Sequence, residues 1–264
     1  MNYLIGIDLG TSSTKTVLFD EKGEVIASAS KDYPLYTPHN GWAEQKPEDW
    51  RDAALETITK VVKDSGVAAD DIKGLGISGQ MHGLVMLDEQ GEVIRPSIIW
   101  CDQRTEKECE EMTEKVGAEK LIEITANPAM TGFTASKILW VRNNEPENYA
   151  KCKHILLPKD YVRYILTGEF ATEVSDASGM LLLDVKNRCW SKEMMEICDV
   201  KEEQLPKLYE SWEVVGTLKP EVAKELGFSA DVKVVAGAGD NAAAAVGTGT
   251  VGDGQCNISL GTSG

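Results

Sequence analysis

One carboxylate and a hydroxyl-rich turn lie between two apolar runs near the N-terminus. Asp8 ends the first run, and Gly10, Thr11 and Ser12 precede the second, which carries Lys15. An unpaired carboxylate is costly in a protein core, so we do not expect Asp8 to be a packing residue. Hydroxyl and backbone N–H groups in such a turn suit a phosphate. The pattern predicts either a site for metal-bound nucleotide phosphates or an ordinary hairpin with a polar turn, and this run alone favours neither.

The end of the sequence repeats this arrangement. An apolar run that ends at Leu260 is followed by Gly261, Thr262 and Ser263. Two such hairpins that face each other would hold a phosphate chain from both sides, and the pair is far more specific than either hairpin alone.

Two further glycine-rich segments carry side chains that could act on a substrate. In residues 76–83, glycines flank a polar tip in which His82 is the obvious hydrogen-bonding group, although a lone histidine is more often packed or solvated than functional. In residues 237–241, Asp240 stands where a helix begins. It is either a helix N-cap or, because a helix N-terminus favours the ionised carboxylate, a residue that stays able to accept a proton.

Composition argues against several classes of protein. The net charge of −16 disfavours a nucleic-acid groove or an anionic lipid surface, but local N–H donors and a magnesium ion would still allow ATP to bind. No window approaches the roughly 20 apolar residues of a membrane span, and no basic segment precedes the first strand. The six cysteines have spacings that suit neither zinc nor a disulfide framework. We therefore expect reduced thiols, a cytoplasmic protein, and no nucleic-acid or membrane partner.

Apolar periodicity predicts an α/β protein. Strands are predicted over residues 3–9, 14–19 and 24–29, and a helix begins near Pro47 and ends at Gly66. Further strands are predicted over residues 72–78, 84–87, 232–236 and 255–260, and further helices over residues 106–116, 134–144, 159–166 and 241–246. The β-β-β-α-β order matches the ribonuclease-H-like core of actin-type ATPases. We expect a mixed β-sheet flanked by helices, with a mostly helical insertion that no linker separates into its own domain.

Taken together, these residues resemble the FGGY family of carbohydrate kinases, which belongs to the superfamily of actin, sugar kinases and Hsp70. The resemblance covers the whole chain. Residues 5–20 are similar to the family's first phosphate motif, residues 131–144 to its central signature, and residues 100–104 to its W-x-D-x-R segment. The Gln-Met-His-Gly segment at residues 80–83 points to D-xylulose as the sugar. Glycerol kinases carry an Arg-Glu pair in place of its central Met-His.

The resemblance implies ATP-dependent transfer of the γ-phosphoryl group to the 5-hydroxyl of D-xylulose. Asp240 would take the hydroxyl proton. Asp8 would hold Mg²⁺ through water, with Asp240 as a second candidate. The residues implied at the phosphates are Asp8, Gly10, Thr11, Ser12, Lys15, Gly261, Thr262 and Ser263. The residues implied around the sugar are Gln80, Met81, His82, Trp100, Asp102, Arg104, Asp240 and Asn241.

The resemblance also carries an expectation about domains. Kinases of this family are much longer, and their second domain supplies the adenine pocket and the other wall of the cleft. We expect residues 1–264 to be the N-terminal domain, which holds the sugar and the base, with residues 254–264 as the first phosphate hairpin of the missing C-terminal domain. Alone, the chain should bind sugar weakly and have little or no kinase activity. A homodimer stays open, because the sequence does not determine the oligomeric state.

Two alternatives also stay open. One is another FGGY kinase, acting on ribulose, fuculose, gluconate or glycerol. The other is an actin-like or Hsp70-like protein, in which the nucleotide drives a conformational change rather than metabolism. Those proteins lack the segments seen here at residues 80–83 and 100–104.

Overall fold

A seven-stranded mixed sheet forms the centre of the computed structural model, which describes residues 1–229 and 231–258. The strands are β1 (Tyr3–Leu9), β2 (Ser13–Asp20), β3 (Val25–Asp32), β4 (Glu44–Gln45), β5 (Ile72–Gly79), β6 (Val85–Leu87), β7 (Ser97–Ile98), β8 (His154–Leu156), β9 (Ala171–Glu173), β10 (Leu183–Asp184), β11 (Cys189–Trp190), β12 (Lys207–Tyr209), β13 (Val214–Thr217), β14 (Lys233–Val235) and β15 (Ala238–Gly239). The helices are α1 (Pro47–Ser65), α2 (Glu106–Val116), α3 (Ala118–Thr125), α4 (Thr134–Asn144), α5 (Pro146–Lys151), α6 (Pro158–Thr167), α7 (Val174–Ala177), α8 (Lys192–Ile197), α9 (Pro220–Leu226) and α10 (Asp240–Gly247).

The strand order of the central sheet is β13-β14-β5-β1-β2-β3, and β15 also pairs with β5. The first three strands form an antiparallel meander, whereas β5 is parallel to β1, to β14 and to β15. In this register Gly79, the last residue of β5, pairs with Leu9 of β1 and with Gly239 of β15. The segments that follow these three strands therefore leave the sheet at the same edge, where open α/β sheets bind their ligands.

One face of the sheet is covered and the other is open. Along β1, Ile5, Ile7 and Leu9 are buried and pack in one cluster with Trp50 and Ile58 of α1. Pro47 is the first residue of α1, and Gly66 ends it in a left-handed conformation, as expected for a terminal glycine. A second apolar cluster joins α2, α4 and the chain around β8 and α7.

The structure confirms the predicted fold class, a mixed sheet with flanking helices. Strand β1 and helices α2 and α4 have the predicted bounds, and the other predicted elements differ by a few residues at their ends. The predicted strand at residues 84–87 is β6, which pairs with β8 rather than joining the central sheet. Residues 255–258 are not in a strand, and the rest of that predicted element lies outside the described residues. The short strands and helices between residues 146 and 226, other than α6, were not predicted, because elements of two to seven residues are too short to show a clear periodicity.

Packing under α1 should dominate the stability of the central sheet. Ile58 is fully buried, whereas Ile122 of α3 is 48% exposed, so the two isoleucines form a matched helical pair. We expect Ile58→Ala to lower the free energy of unfolding by about 2–5 kcal/mol, and Ile122→Ala to change it by less than about 0.5 kcal/mol. Denaturant unfolding of the two variants measures this. Equal losses would contradict the assignment of the core.

Candidate active site

Three segments that are far apart in the sequence meet at the carboxyl edge of the sheet. The turn after β1 begins at Gly10, the loop after β5 carries Met81 and His82, and Asp240 follows β15 directly. Met81 packs against Gly239, because a Cβ added to that glycine would lie 2.9 Å from the Met81 sulfur. The loop predicted to hold the sugar and the predicted base are therefore adjacent.

The turn after β1 is held with its carbonyl oxygens towards the protein. The Tyr33 hydroxyl donates to the Gly10 carbonyl, and the Tyr33 N–H donates to the Ser12 carbonyl at 3.2 Å. Burial raises the pKa of Tyr33 well above its usual range, so this phenol is a donor at all ordinary pH values. Within residues 1–229 and 231–258, the N–H groups of Thr11 and Ser12 have no hydrogen-bond partner. Two free N–H groups beside two hydroxyls suit an anion.

Asp8 lies on the open face of the sheet rather than in the core. Its side chain is exposed, and the Ser78 hydroxyl donates to its Oδ1 at 2.9 Å. Lys15 is opposite Asp8 in the antiparallel register of β1 and β2 and is also exposed. Both line an open depression of about 780 Å³ whose other walls include Ala242 and Val246 of α10.

Asp240 is the first residue of α10, and Gly239 takes the N-cap position. The backbone N–H of Asn241 donates to Asp240 Oδ1 at 2.7 Å. Burial raises the pKa of Asp240, the bond from Asn241 lowers it, and the charge of Asp8 raises it again, with a raised pKa as the result. The expected preference of a helix N-terminus for the ionised form is thus outweighed, because the carboxylate is half-buried near a second one. Asn241 itself is exposed.

A buried cluster of charges lies behind the strand that leads to Asp240. The Lys159 ammonium contacts Asp160 at 2.8 Å, Asp176 at 3.1 Å and Glu173 at 3.3 Å, and all four side chains are fully buried. Burial raises the pKa of Asp176 to about 7. Glu173 accepts from the Ser211 hydroxyl at 2.9 Å.

Backbone contacts connect this cluster to the chain before Asp240. The Arg163 guanidinium, which bonds to Asp160 in the same cluster, donates to the Ala236 carbonyl. The Ser175 hydroxyl accepts from the Gly239 N–H at 3.2 Å. Polar groups on both sides therefore hold the segment that ends at Asp240.

His82 is enclosed and held in one orientation. Its backbone φ is 67°, its ring lies 4.4 Å from that of Phe133, and its Nδ1 lies 3.0 Å from the Gly179 carbonyl. Burial lowers the pKa of His82 to about 4, so the imidazole is neutral at pH 7. A carbonyl oxygen only accepts, so Nδ1 carries the proton and Nε2 is left as an acceptor for a ligand hydroxyl.

Trp100, Asp102 and Arg104 have different surroundings. The half-buried Trp100 donates from Nε1 to the Thr11 hydroxyl at 2.9 Å, which connects the predicted sugar side to the predicted phosphate turn. Asp102 is fully buried and accepts from Arg104 at 2.7–3.0 Å and from the Ala43 N–H at 2.6 Å. The Arg104 guanidinium also lies 3.7 Å from the ring centre of Trp42. Asp102 and Arg104 therefore form a buried ion pair next to Trp100 in the chain. Their direct contact with a sugar stays a prediction.

Sequence reasoning gave no role to Lys137, which is fully buried in α4. Its ammonium donates to the carbonyls of His82 at 2.7 Å and Gly132 at 2.5 Å. Burial lowers the pKa of Lys137 to about 7. Gly132 in turn lies against the Trp100 carbonyl, with 2.7 Å from an added Cβ to that oxygen. A lone charged residue in the mostly apolar run of residues 135–141 was the available signal for this contact between the two loops that are predicted to hold the sugar.

The predicted second phosphate hairpin, with Gly261, Thr262 and Ser263, lies outside the described residues and stays a prediction. Among the residues described, no group of three or more His, Cys, Asp and Glu side chains could hold a metal ion. No helix in the described ranges has the length and apolar character needed to cross a membrane.

Comparison with known proteins adds a family to this geometry. Residues 3–247 match the model of the FGGY family of carbohydrate kinases, N-terminal domain. The xylulose kinase of Escherichia coli (strain K12) is 48% identical over 98% of this chain and 53% of its own length. The xylulose kinase of Bacillus subtilis (strain 168) is 46% identical over 100% of this chain and 53% of its own length.

A solved structure agrees with these sequence matches. The crystal structure of a xylulose kinase from Brucella ovis superposes with a TM-score of 0.91 at 40% identity, over 96% of this chain and 52% of that one. The chain therefore spans about half the length of the relatives that it matches.

The orientation of His82 should depend on Gly179. A Cβ added at Gly179 would collide with the imidazole, whereas one added at Gly247 meets nothing within 4 Å. We expect Gly179→Ala to displace the ring, expose it and raise the pKa of His82 from about 4 towards the ordinary value of about 6.5. NMR titration of the imidazole measures this shift, and Gly247→Ala is the matched control that should leave it unchanged. An unaltered titration in Gly179→Ala would contradict the assigned contact.

Proposed function

Because the chain belongs to the FGGY family of carbohydrate kinases, we propose that it forms the sugar-binding half of an ATP-dependent xylulose kinase. The observation that carries this proposal is the meeting of the Thr11 turn, the His82 loop and Asp240 at one sheet edge. The xylulose kinases among the relatives support D-xylulose as the sugar. We further propose that residues 1–264 act as an N-terminal domain in the cytoplasm, and that the second wall of the cleft belongs to a C-terminal domain.

Proton transfer is assigned to Asp240. Phosphoryl transfer requires mainly positioning and charge stabilisation, so a single carboxylate beside the sugar hydroxyl suffices as the base. The raised pKa of Asp240 makes it a stronger base than an exposed aspartate. His82 offers Nε2 as an acceptor for a second hydroxyl, and Trp100 offers an apolar ring to the carbon skeleton. These contacts would hold the reacting hydroxyl towards the phosphate turn.

Phosphate binding is assigned to the turn after β1. The N–H groups of Thr11 and Ser12 and their hydroxyls would bind phosphate oxygens, and Lys15 would add a positive charge on the same face. Asp8 fits Mg²⁺, because this ion keeps several waters and takes one or two carboxylates. Asp240 lies near enough to Asp8 to sense its charge and is the second candidate ligand. When bound, Mg²⁺ neutralises charge on the phosphates.

The assignment of the base predicts a selective loss of turnover. In the full-length enzyme, Asp240→Asn should lower kcat for D-xylulose by about 10²–10⁴-fold, because the hydroxyl proton loses its acceptor. The matched control is Asp70→Asn, an exposed carboxylate at the opposite end of β5. A coupled assay with ATP and D-xylulose measures both.

The same assay with ribulose, fuculose, gluconate and glycerol tests the substrate. A higher kcat/KM for one of these would replace D-xylulose in the proposal. Near-normal kcat in folded Asp240→Asn would exclude Asp240 as the base.

The pH dependence of activity should show that the charge of Asp8 raises the pKa of Asp240. Because the pKa of Asp240 is raised, activity that needs its ionised form should be lost on acidification at a pH above the ordinary aspartate pKa of about 3.9. Asp8→Asn removes a charge that raises the pKa, so the acid midpoint of kcat/KM should move to lower pH. Asp70→Asn should not move it. An unchanged midpoint in Asp8→Asn would contradict the coupling.

A further inference from the structure

Two buried glutamines lie between the predicted sugar loop and the phosphate turn. Gln45 of β4 is fully buried, and Gln80, the residue directly after β5, is 1% exposed. The family resemblance placed Gln80 at the sugar. In the structure its side chain is enclosed beneath the turn, and a direct contact with a sugar stays a prediction.

The two amides form a connected set of hydrogen bonds. Gln80 Nε2 donates to the Gly10 carbonyl at 3.2 Å and to Gln45 Oε1 at 2.9 Å. Gln45 Nε2 donates to the Thr11 carbonyl at 2.7 Å, and Gln45 Oε1 also accepts from Trp50 Nε1 at 3.2 Å. Consecutive carbonyls of the turn are thus each held by one of the two amides.

These bonds decide where the N–H groups of the turn point. In a planar trans peptide, the C=O of one residue and the N–H of the next point in opposite directions. With the Gly10 and Thr11 carbonyls held inward, the N–H groups of Thr11 and Ser12 point away from the core. Within the described residues, neither of these two N–H groups has a hydrogen-bond partner.

We propose that Gln45 and Gln80 are positioning residues that preset the phosphate turn and connect it to the sugar loop. The proposal rests on the proposed kinase function of the site. Gln80 makes the connection, because it precedes Met81 and His82 directly and its backbone N–H also donates to the Leu9 carbonyl at 2.8 Å. A simple packing role does not explain the pair, since Gln80 Oε1 is buried with no partner among the described residues, and an orphaned acceptor lowers stability.

Glutamate at position 45 separates positioning from packing. Gln45→Glu keeps the size and the acceptor that faces Gln80 and Trp50, but it replaces the donor to the Thr11 carbonyl with an oxygen. In the full-length enzyme the Ser12 N–H would then no longer be held towards the phosphate. We expect the KM for ATP to rise about tenfold or more, which is the effect of losing one hydrogen bond to a charged phosphate oxygen. The KM for D-xylulose should stay within about twofold. Gln80→Glu, which removes both bonds from Gln80 Nε2, should raise both KM values.

Thr57→Val is the matched structural control. It removes a buried hydrogen bond, 2.7 Å between the hydroxyls of Thr57 and Thr16, beneath the same sheet and away from the turn. It should lower the melting temperature without changing either KM. If buried charge prevents folding of Gln45→Glu, Gln45→Met replaces it with the same expected rise in the KM for ATP. Loss of stability with both KM values unchanged, as in the control, would overturn the proposal.

A measurement that needs no activity separates this proposal from the proposed function. If the wild-type enzyme phosphorylates no sugar, the proposed function is wrong. Backbone ¹⁵N relaxation, measured by NMR in this chain, then tests the glutamines directly. Gln45→Met should increase the mobility of the Thr11 and Ser12 amides, because the turn loses a hydrogen bond that holds it, and Thr57→Val should not. Unchanged mobility in Gln45→Met would overturn the positioning role.

Discussion

The site depends on the parallel pairing of β5 with β1 on one side and β15 on the other. This pairing aligns Leu9, Gly79 and Gly239, so that the turn after β1, the loop after β5 and Asp240 begin at the same level of the sheet. Glycine is required at this edge. Gly237 has a φ of +84°, and a Cβ there would collide with the Ile77 carbonyl. At Gly79 an added Cβ would lie 3.0 Å from that of Leu9. Larger residues would separate the strands and the groups that follow them.

The chemistry at this edge is supported by polar groups buried behind it. Arg163, in the Lys159 cluster, donates to the Ala236 carbonyl in the segment before Asp240. Lys137 donates to the carbonyls of His82 and Gly132, and Arg104 donates to Asp102. Buried charges are weak contributors to stability, because desolvation offsets most of their attraction. Their partners here are backbone carbonyls and other buried carboxylates, whose positions they determine. We interpret them as the supports of a site that must be rigid before a ligand arrives.

Much of the architecture was predictable from local sequence. The β1–β2 hairpin, α1, α2 and α4 follow from apolar periodicity with terminal proline and glycine, and two of the helices have the predicted bounds. The short elements between residues 146 and 226 were missed, because their stability comes from distant partners rather than from pattern. Strand β12, for example, pairs with β9, more than thirty residues earlier.

The sequence by itself determined which chemical groups are present and which family the chain resembles, since both depend on residue type and spacing along the chain. Only the tertiary structure decided how those groups are used. Asp102 and Arg104 form a buried ion pair, the Gln80 side chain lies beneath the turn after β1, and the pKa of Asp240 is raised rather than lowered. The physical reason is that hydrogen bonding and desolvation depend on neighbours in space. Gln80 and Gly10 are 70 residues apart, and Trp100 and Thr11 are 89 residues apart.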